Sequence, residues 1–131
     1  NVETFVTYAF ICINDTSGEY YHYPLFKEDH LNVLNLSFDD VEHDFEISPT
    51  NSNRTKACTI KDAKNIINFL DLNKKIDVLM IHCAGGISRS GAVGQFALDY
   101  LHGNKEYFKI DNPQIRPNAY ILRLLNNLAF H

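Results

Sequence analysis

The alternation of apolar and polar residues predicts strands and helices that follow one another along the chain. Segment 5–13 (FVTYAFICI) is rich in β-branched and aromatic residues, and segment 32–38 (NVLNLSF) alternates apolar and polar residues; both patterns are typical of strands. The run 76–81 (IDVLMI) is continuously apolar and predicts a short strand buried on both faces of a parallel sheet. Turn-forming residues at 14–18 (NDTSG) end the first strand, and an acidic, then Ser/Pro/Asn-rich loop is expected over 39–53.

Three helices are predicted from Thr59 onwards. Thr59 is a capping residue with Asp62 in the capping-box position, and the residues that follow at helical spacing on one face are Ala63, Ile66, Ile67 and Leu70. A second helix is expected over 89–101, with inward positions at Val93, Phe96, Ala97 and either Tyr100 or Leu101. The last is expected from Pro117 to about Ala129. This order predicts an α/β fold: a small, mainly parallel central sheet flanked by helices.

Length and composition indicate one domain over residues 1–131. The chain has 131 residues, of which 45% are apolar and 21% charged, and these fractions exclude a disordered or fibrous protein. No internal repeat or low-complexity linker divides it. No apolar run approaches the roughly 20 residues that a membrane-spanning helix needs, so a membrane is not expected as a partner.

The net charge of −4 gives no indication of a polyanionic partner. Proteins that coat DNA or RNA carry a basic surplus or a basic stripe, and this chain has neither. Nucleic acid is therefore not expected as a partner. By the same argument any anionic substrate is disfavoured, unless local chemistry overrides the average.

Cysteine usage indicates a reducing compartment, and hence the cytoplasm. The chain has three cysteines, Cys12, Cys58 and Cys83, with no CxxC pair that would suggest disulfides or a zinc site. Cys12 lies within an apolar strand and is expected in the core, and Cys58, just before a helix, is expected to be inert. Because the sequence begins with Asn1 rather than Met, secretion after removal of a leader stays open.

The segment 81–91 (IHCAGGISRSG) combines the parts of an oxyanion-binding loop. It connects a predicted strand to a predicted helix, the place where α/β proteins bind ligands. Two glycines let backbone N–H groups point inward, the helix N-terminus adds positive potential, and Arg89 offers a planar fork of donors. The positions expected to bind a substrate phosphate are Ala84, Gly85, Gly86, Ile87, Ser88 and Arg89.

Cys83 lies at the base of this electropositive loop, where a thiolate is favoured and is ready to attack. The hydroxyl of Ser90 is placed to donate a hydrogen bond to the sulfur, and His82 is expected to orient the loop rather than act as a base. The alternative is a buried structural thiol beside a glycine turn. An arginine six positions later, with two glycines between, favours the catalytic interpretation.

The loop resembles the signature of cysteine-dependent protein tyrosine phosphatases, specifically the compact dual-specificity group. His82 and Cys83, five intervening residues, then Arg89 and Ser90 match its His-Cys-x-x-Gly-x-Ser-Arg-Ser form. Gly85 stands where alanine is commoner in that group. The resemblance implies hydrolysis of a phosphate ester through a phosphocysteine, with no metal and no cofactor.

A second segment resembles the same group more weakly. Arg116, Pro117 and Asn118, followed by Tyr120 and Leu124, are similar to its Pro-Asn-x-x-Phe stretch. The resemblance implies that Asn118 helps to hold the phosphate loop.

The family chemistry also requires an aspartate as general acid. Asp39 and Asp40 directly follow the strand 32–38, and Asp44 lies slightly further on. Because alternate strand residues share a face, Asp40 continues the direction of Phe38 and is the first choice. The aspartate lies 43 positions before the cysteine, a larger gap than that group has. The alternative is that this acidic run is a solvated loop.

The loop composition favours a phosphoprotein substrate. Related enzymes that act on phosphoinositides or RNA carry basic residues inside the loop, whereas positions 84–88 here have none. Phosphotyrosine is expected, and the short chain indicates dual specificity. Two alternatives stay open: a phosphate-binding pseudophosphatase, and a rhodanese-like sulfurtransferase, whose cysteine–arginine spacing is generally shorter.

Overall fold

Three parallel strands form the sheet of the structure, a computed structural model that describes residues 7–16, 32–41, 56–83, 88–101 and 117–130. Within these ranges the strands are β1 (Tyr8–Asn14), β2 (Val33–Ser37) and β3 (Val78–Cys83). Their order is β2-β1-β3, and β1 pairs in parallel with both neighbours. The predicted parallel sheet is confirmed.

The central strand is β1, and the prediction that the apolar run 76–81 is buried on both faces is wrong. Ile11, Cys12 and Ile13 of β1 are completely buried, whereas Met80 of β3 is 39% exposed. In the described part of the chain β3 pairs with β1 alone. A continuous apolar run does not distinguish these cases, because apolar atoms also make up much of a protein's surface.

In the described ranges the helices are α1 (Ile60–Leu72), α2 (Arg89–Leu101) and α3 (Ala119–Ala129). The predicted capping box of α1 is confirmed: the Asp62 N–H donates to Thr59 Oγ1 at 3.1 Å, and the Thr59 N–H donates to an Asp62 carboxylate oxygen at 2.9 Å. The last helix begins two residues later than predicted, because Asn118 is its cap and Pro117 precedes that cap. No helix in the described ranges is long and apolar enough to cross a membrane.

One face of the sheet and the three helices share a single hydrophobic core. In-register partners of parallel strands point to the same side. The residues of this face are therefore Ala9, Ile11 and Ile13 of β1, Leu34 and Leu36 of β2, and Leu79, Ile81 and Cys83 of β3. The helices cover it with Ala63, Ile66, Phe69 and Leu70, with Ala92, Val93, Phe96 and Ala97, and with Ile121 and Leu125. The inward residues expected for α1 and α2 contact this core: Ala63, Ile66, Leu70, Val93, Phe96 and Ala97 are buried, and Ile67, Tyr100 and Leu101 are half-buried.

The core position of Ile11 predicts a large loss of stability on truncation. Ile11→Ala should lower the free energy of unfolding by about 2–5 kcal/mol, because it removes buried methyl groups and leaves a cavity in the central strand. Urea denaturation measures this loss. Leu72→Ala, at a position 73% exposed, should change stability by no more than about 0.5 kcal/mol. Equal losses in the two variants would contradict this description of the core.

Candidate active site

The carboxyl ends of the three strands meet at one edge of the sheet, and the candidate residues lie there. Ile13 is in register with Cys83, the last residue of β3. Asn14 is in register with Ser37, the last residue of β2, and its carbonyl accepts a hydrogen bond from the Phe38 N–H at 3.1 Å. The residues that follow the strands therefore come together, as the ends of parallel strands do in α/β ligand sites.

Cys83 is a buried cysteine whose sulfur lies against the first turn of α2. Its exposed fraction is 3%, and its Sγ accepts a hydrogen bond from the backbone N–H of Ser90 at 3.2 Å. Ser90 is the second residue of α2, whose first N–H groups have no partner within the helix. The contact with sulfur predicted for the Ser90 hydroxyl is thus made by the Ser90 backbone amide.

Arg89, the first residue of α2, is buried with its charge. Its exposed fraction is 4%, and its Nη1 donates two hydrogen bonds. One goes to Asp15 Oδ1 at 2.6 Å, and the other to the Phe38 carbonyl oxygen at 2.9 Å. Asp15 follows β1 and Phe38 follows β2, so the guanidinium bridges the ends of two strands.

Asp40 lies in contact with both Asn118 and Ser88. Positions 84–87 lie outside the described residues, so the role of Asn118 in holding the phosphate loop stays a prediction. Asp40 Oδ1 accepts from Asn118 Nδ2 at 2.7 Å and from Ser88 Oγ at 2.8 Å. The Asn118 N–H donates to the Ser88 carbonyl at 3.0 Å, and its Nδ2 also donates to the Val41 carbonyl at 3.1 Å. Its Oδ1 accepts from the Ile121 N–H at 3.0 Å, which caps α3. Asn118 therefore joins three segments.

Asp39, the second candidate acid, holds the backbone of two neighbouring segments. Its Oδ1 accepts from the Thr16 N–H at 3.0 Å, and its Oδ2 accepts from the Lys56 N–H at 2.7 Å and from the Thr16 hydroxyl. Burial by itself raises the pKa of Asp39, but these hydrogen bonds and the charge of Arg89 outweigh it, so that the pKa is lowered. Both oxygens of this carboxylate thus accept hydrogen bonds from the protein.

The other two cysteines have surroundings that differ from those of Cys83. Cys12 is buried in β1 on the sheet face opposite Cys83, and burial raises the pKa of its thiol. Cys58 is 1% exposed, and burial together with the charge of Asp62 raises the pKa of its thiol to about 12. Both thiols are neutral at physiological pH, in agreement with the expectation of a core residue and an inert one.

Several predicted positions lie outside the described residues. These are Ala84, Gly85, Gly86 and Ile87 of the loop, together with Asp44. His82 lies on β3, opposite Cys12. No hydrogen bond of its ring is present in the part of the chain that the structure describes, so its role in orienting the loop stays a prediction.

Asp15 is the residue of this cluster that sequence reasoning missed. It stands in the segment 14–18, where aspartate is common because its side chain stabilises turns. A signal was present, since Asp15 directly follows an apolar strand of a predicted parallel sheet. That signal cannot identify the partner, because strand order is not written in the local sequence.

Comparisons with known proteins support the fold. The chain matches no protein-family model and no curated protein sequence. Its structure is similar to the crystal structure of human tyrosine phosphatase-like serine/threonine/tyrosine-interacting protein, with a TM-score of 0.53 and 22% sequence identity over 94% of this chain and 76% of that chain. The chain therefore has a tyrosine phosphatase-like α/β fold. At this identity the similarity concerns the fold alone.

The lowered pKa of Asp39 predicts how stability responds to acid. A carboxylate whose pKa is lower in the folded state stabilises the fold above its unfolded pKa of about 4. That contribution is lost as the pH falls through the folded pKa. Asp39→Asn should therefore lower the free energy of unfolding at pH 7, by roughly 1 kcal/mol, and the difference from the wild type should shrink below pH 4. Urea denaturation from pH 7 to pH 3 tests this, and a difference independent of pH would contradict it.

Proposed function

We propose that this protein is a phosphoprotein phosphatase that acts through a phosphocysteine intermediate. One observation carries the proposal: a buried cysteine sulfur accepts a hydrogen bond from the first turn of a helix that begins with a buried arginine. An N–H donor and a helix N-terminus stabilise the negative charge of a thiolate. The arginine adds the donor fork that suits a phosphate group.

The proposed chemistry has two steps. Cys83 Sγ attacks phosphorus, a sulfur–phosphorus bond forms, and the phosphorus–oxygen ester bond breaks. The electron pair of that bond goes to the leaving oxygen, which takes a proton from Asp40. Water then attacks the phosphocysteine and loses a proton to the same carboxylate, and this releases inorganic phosphate and the thiolate. Arg89 and the loop amides stabilise the charge on the phosphoryl oxygens in both steps.

Asp40 suits the role of general acid better than Asp39 does. Its Oδ1 is held by Ser88 and Asn118, and its side chain is exposed. Among the described residues no hydrogen bond engages its Oδ2, so that oxygen is the one to carry a transferable proton. Both oxygens of Asp39 accept hydrogen bonds that favour its ionised form.

The substrates we propose are phosphotyrosine and, as further substrates, phosphoserine and phosphothreonine in proteins. Positions 84–88 carry no basic residue that would select a polyphosphorylated ligand, and the net charge is −4. A second candidate is a protein that binds phosphorylated residues without turnover. The structural neighbour supports that candidate, since it is named a tyrosine phosphatase-like serine/threonine/tyrosine-interacting protein.

Replacement of the nucleophile tests the proposal directly. The wild type should hydrolyse p-nitrophenyl phosphate in the presence of EDTA, and vanadate should inhibit it. Cys83→Ser should lose activity by about 10⁴-fold or more, because the hydroxyl is a far weaker nucleophile. Cys58→Ala is the matched control and should keep its activity. A wild type that binds phosphate without turnover would support the second candidate, and an active Cys83→Ser would exclude the phosphocysteine.

The role of Asp40 predicts a dependence on the leaving group. Asp40→Asn keeps an oxygen that accepts hydrogen bonds but has no proton to transfer. It should lower kcat for a phosphotyrosine peptide by about 10²–10⁴-fold, and lower it far less for p-nitrophenyl phosphate, whose leaving group needs no proton. Asp39→Asn should affect both substrates equally. Equal effects of Asp40→Asn on the two substrates would show that the acid lies elsewhere.

A further inference from the structure

We propose that Asp15 is a positioning residue that sets the orientation of the Arg89 guanidinium for phosphate binding. The inference deepens the proposed function and rests on it. Asp15 lies just beyond β1, whereas Cys83 ends β3 and Arg89 begins α2. Because Asp15 does not belong to the loop motif, its contact with Arg89 depends on the order of the strands in the sheet.

The hydrogen bonds of Arg89 Nη1 determine the orientation of the whole guanidinium. This nitrogen carries two N–H groups, and its two acceptors are Asp15 Oδ1 at 2.6 Å and the Phe38 carbonyl at 2.9 Å. Because the guanidinium is planar and rigid, two acceptors on one terminal nitrogen fix the plane of the others. Nε and Nη2 form the other edge of this plane, and two N–H groups along one edge match the geometry of two phosphate oxygens.

The charge of Asp15 is needed because Arg89 is buried. Arg89 is 4% exposed, and a buried cation is strongly unfavourable unless an anion or several hydrogen bonds compensate it. The Phe38 carbonyl is neutral, and the carboxylate of Asp39 makes its hydrogen bonds to Thr16 and Lys56. Among the described residues Asp15 makes a direct ion pair with Arg89, and its side chain is 32% exposed, so the pair lies at the rim of the core.

A competing account would make Asp15 an inhibitory group that repels the phosphate. The two accounts predict opposite signs: removal of a positioning residue weakens phosphate binding, whereas removal of a repelling one strengthens it. The geometry favours positioning, because Asp15 engages the same nitrogen as the Phe38 carbonyl and so holds it towards the strand ends.

The experiment compares Asp15→Ala and Asp15→Asn with the wild type. For p-nitrophenyl phosphate hydrolysis we expect Asp15→Ala to raise KM by about tenfold or more. The dissociation constant of inorganic phosphate, measured by calorimetry, should rise by a similar factor. Asp15→Asn should have a smaller effect, since its amide oxygen still accepts a hydrogen bond. Asp77→Asn is the matched control, because Asp77 accepts hydrogen bonds from Thr7 next to the start of β3, away from the site, and its loss should leave both constants unchanged.

A double-mutant cycle separates positioning from a general structural role. In an Arg89→Ala background Asp15→Ala should no longer change phosphate affinity, because the group it acts through is gone. Circular dichroism establishes whether each variant is folded. If Asp15→Ala does not fold, the nearly isosteric Asp15→Asn still provides the test. Unchanged or tighter phosphate binding in the folded Asp15 variants would overturn the inference. A wild type that binds phosphate without turnover would overturn the phosphatase proposal alone, while one that does not bind phosphate would overturn both.

Discussion

Arg89 carries a full positive charge at a position that water scarcely reaches, and the surrounding architecture compensates that charge. Asp15 supplies an anion and Phe38 a carbonyl, and the Asp39 carboxylate adds electrostatic attraction. The first two groups stand just beyond β1 and β2, so the parallel register of the sheet is what brings them to the first residue of α2. An isolated buried guanidinium would be strongly destabilising. The need to compensate the charge of Arg89 therefore joins the sheet to α2. It also holds the guanidinium where the proposed phosphate substrate would bind.

Much of the fold could be predicted from local patterns, because the interactions behind it are local. The capping box of Thr59 and Asp62 joins residues three positions apart, and the apolar spacing in 89–101 predicts the buried positions Val93, Phe96 and Ala97 of α2. Cys83 and Ser90 lie within one short motif, so the contact between them is local as well. The start of α3 was misplaced because a proline suits the first turn of a helix, whereas here the asparagine after it is the cap.

The remainder depends on contacts between distant segments, which no local pattern encodes. Asp15 meets Arg89 across 74 positions, and Asp40 meets Asn118 across 78. Asp39 and Asp40 are adjacent and chemically identical, yet the first braces the backbone of Thr16 and Lys56 while the second contacts Ser88. Alternation along β2 indicated that they point apart, but not what each would touch. Likewise, the apolar run of β3 predicts a strand without revealing that this strand pairs with β1.

Asn118 couples the stability of helix α3 to ligand binding at the site, although α3 itself contributes no group to the proposed chemistry. The Asn118 side chain caps α3 and donates a hydrogen bond to Asp40, and the Asn118 backbone N–H donates to the Ser88 carbonyl. Local opening of α3 therefore breaks contacts at the site, and a ligand that binds only the closed arrangement raises the free energy of that opening. Beyond the far end of α3, Phe130 packs on Phe96 and Tyr100 of α2. Slower amide hydrogen exchange along α3 would thus report the occupancy of a loop at the opposite end of the helix.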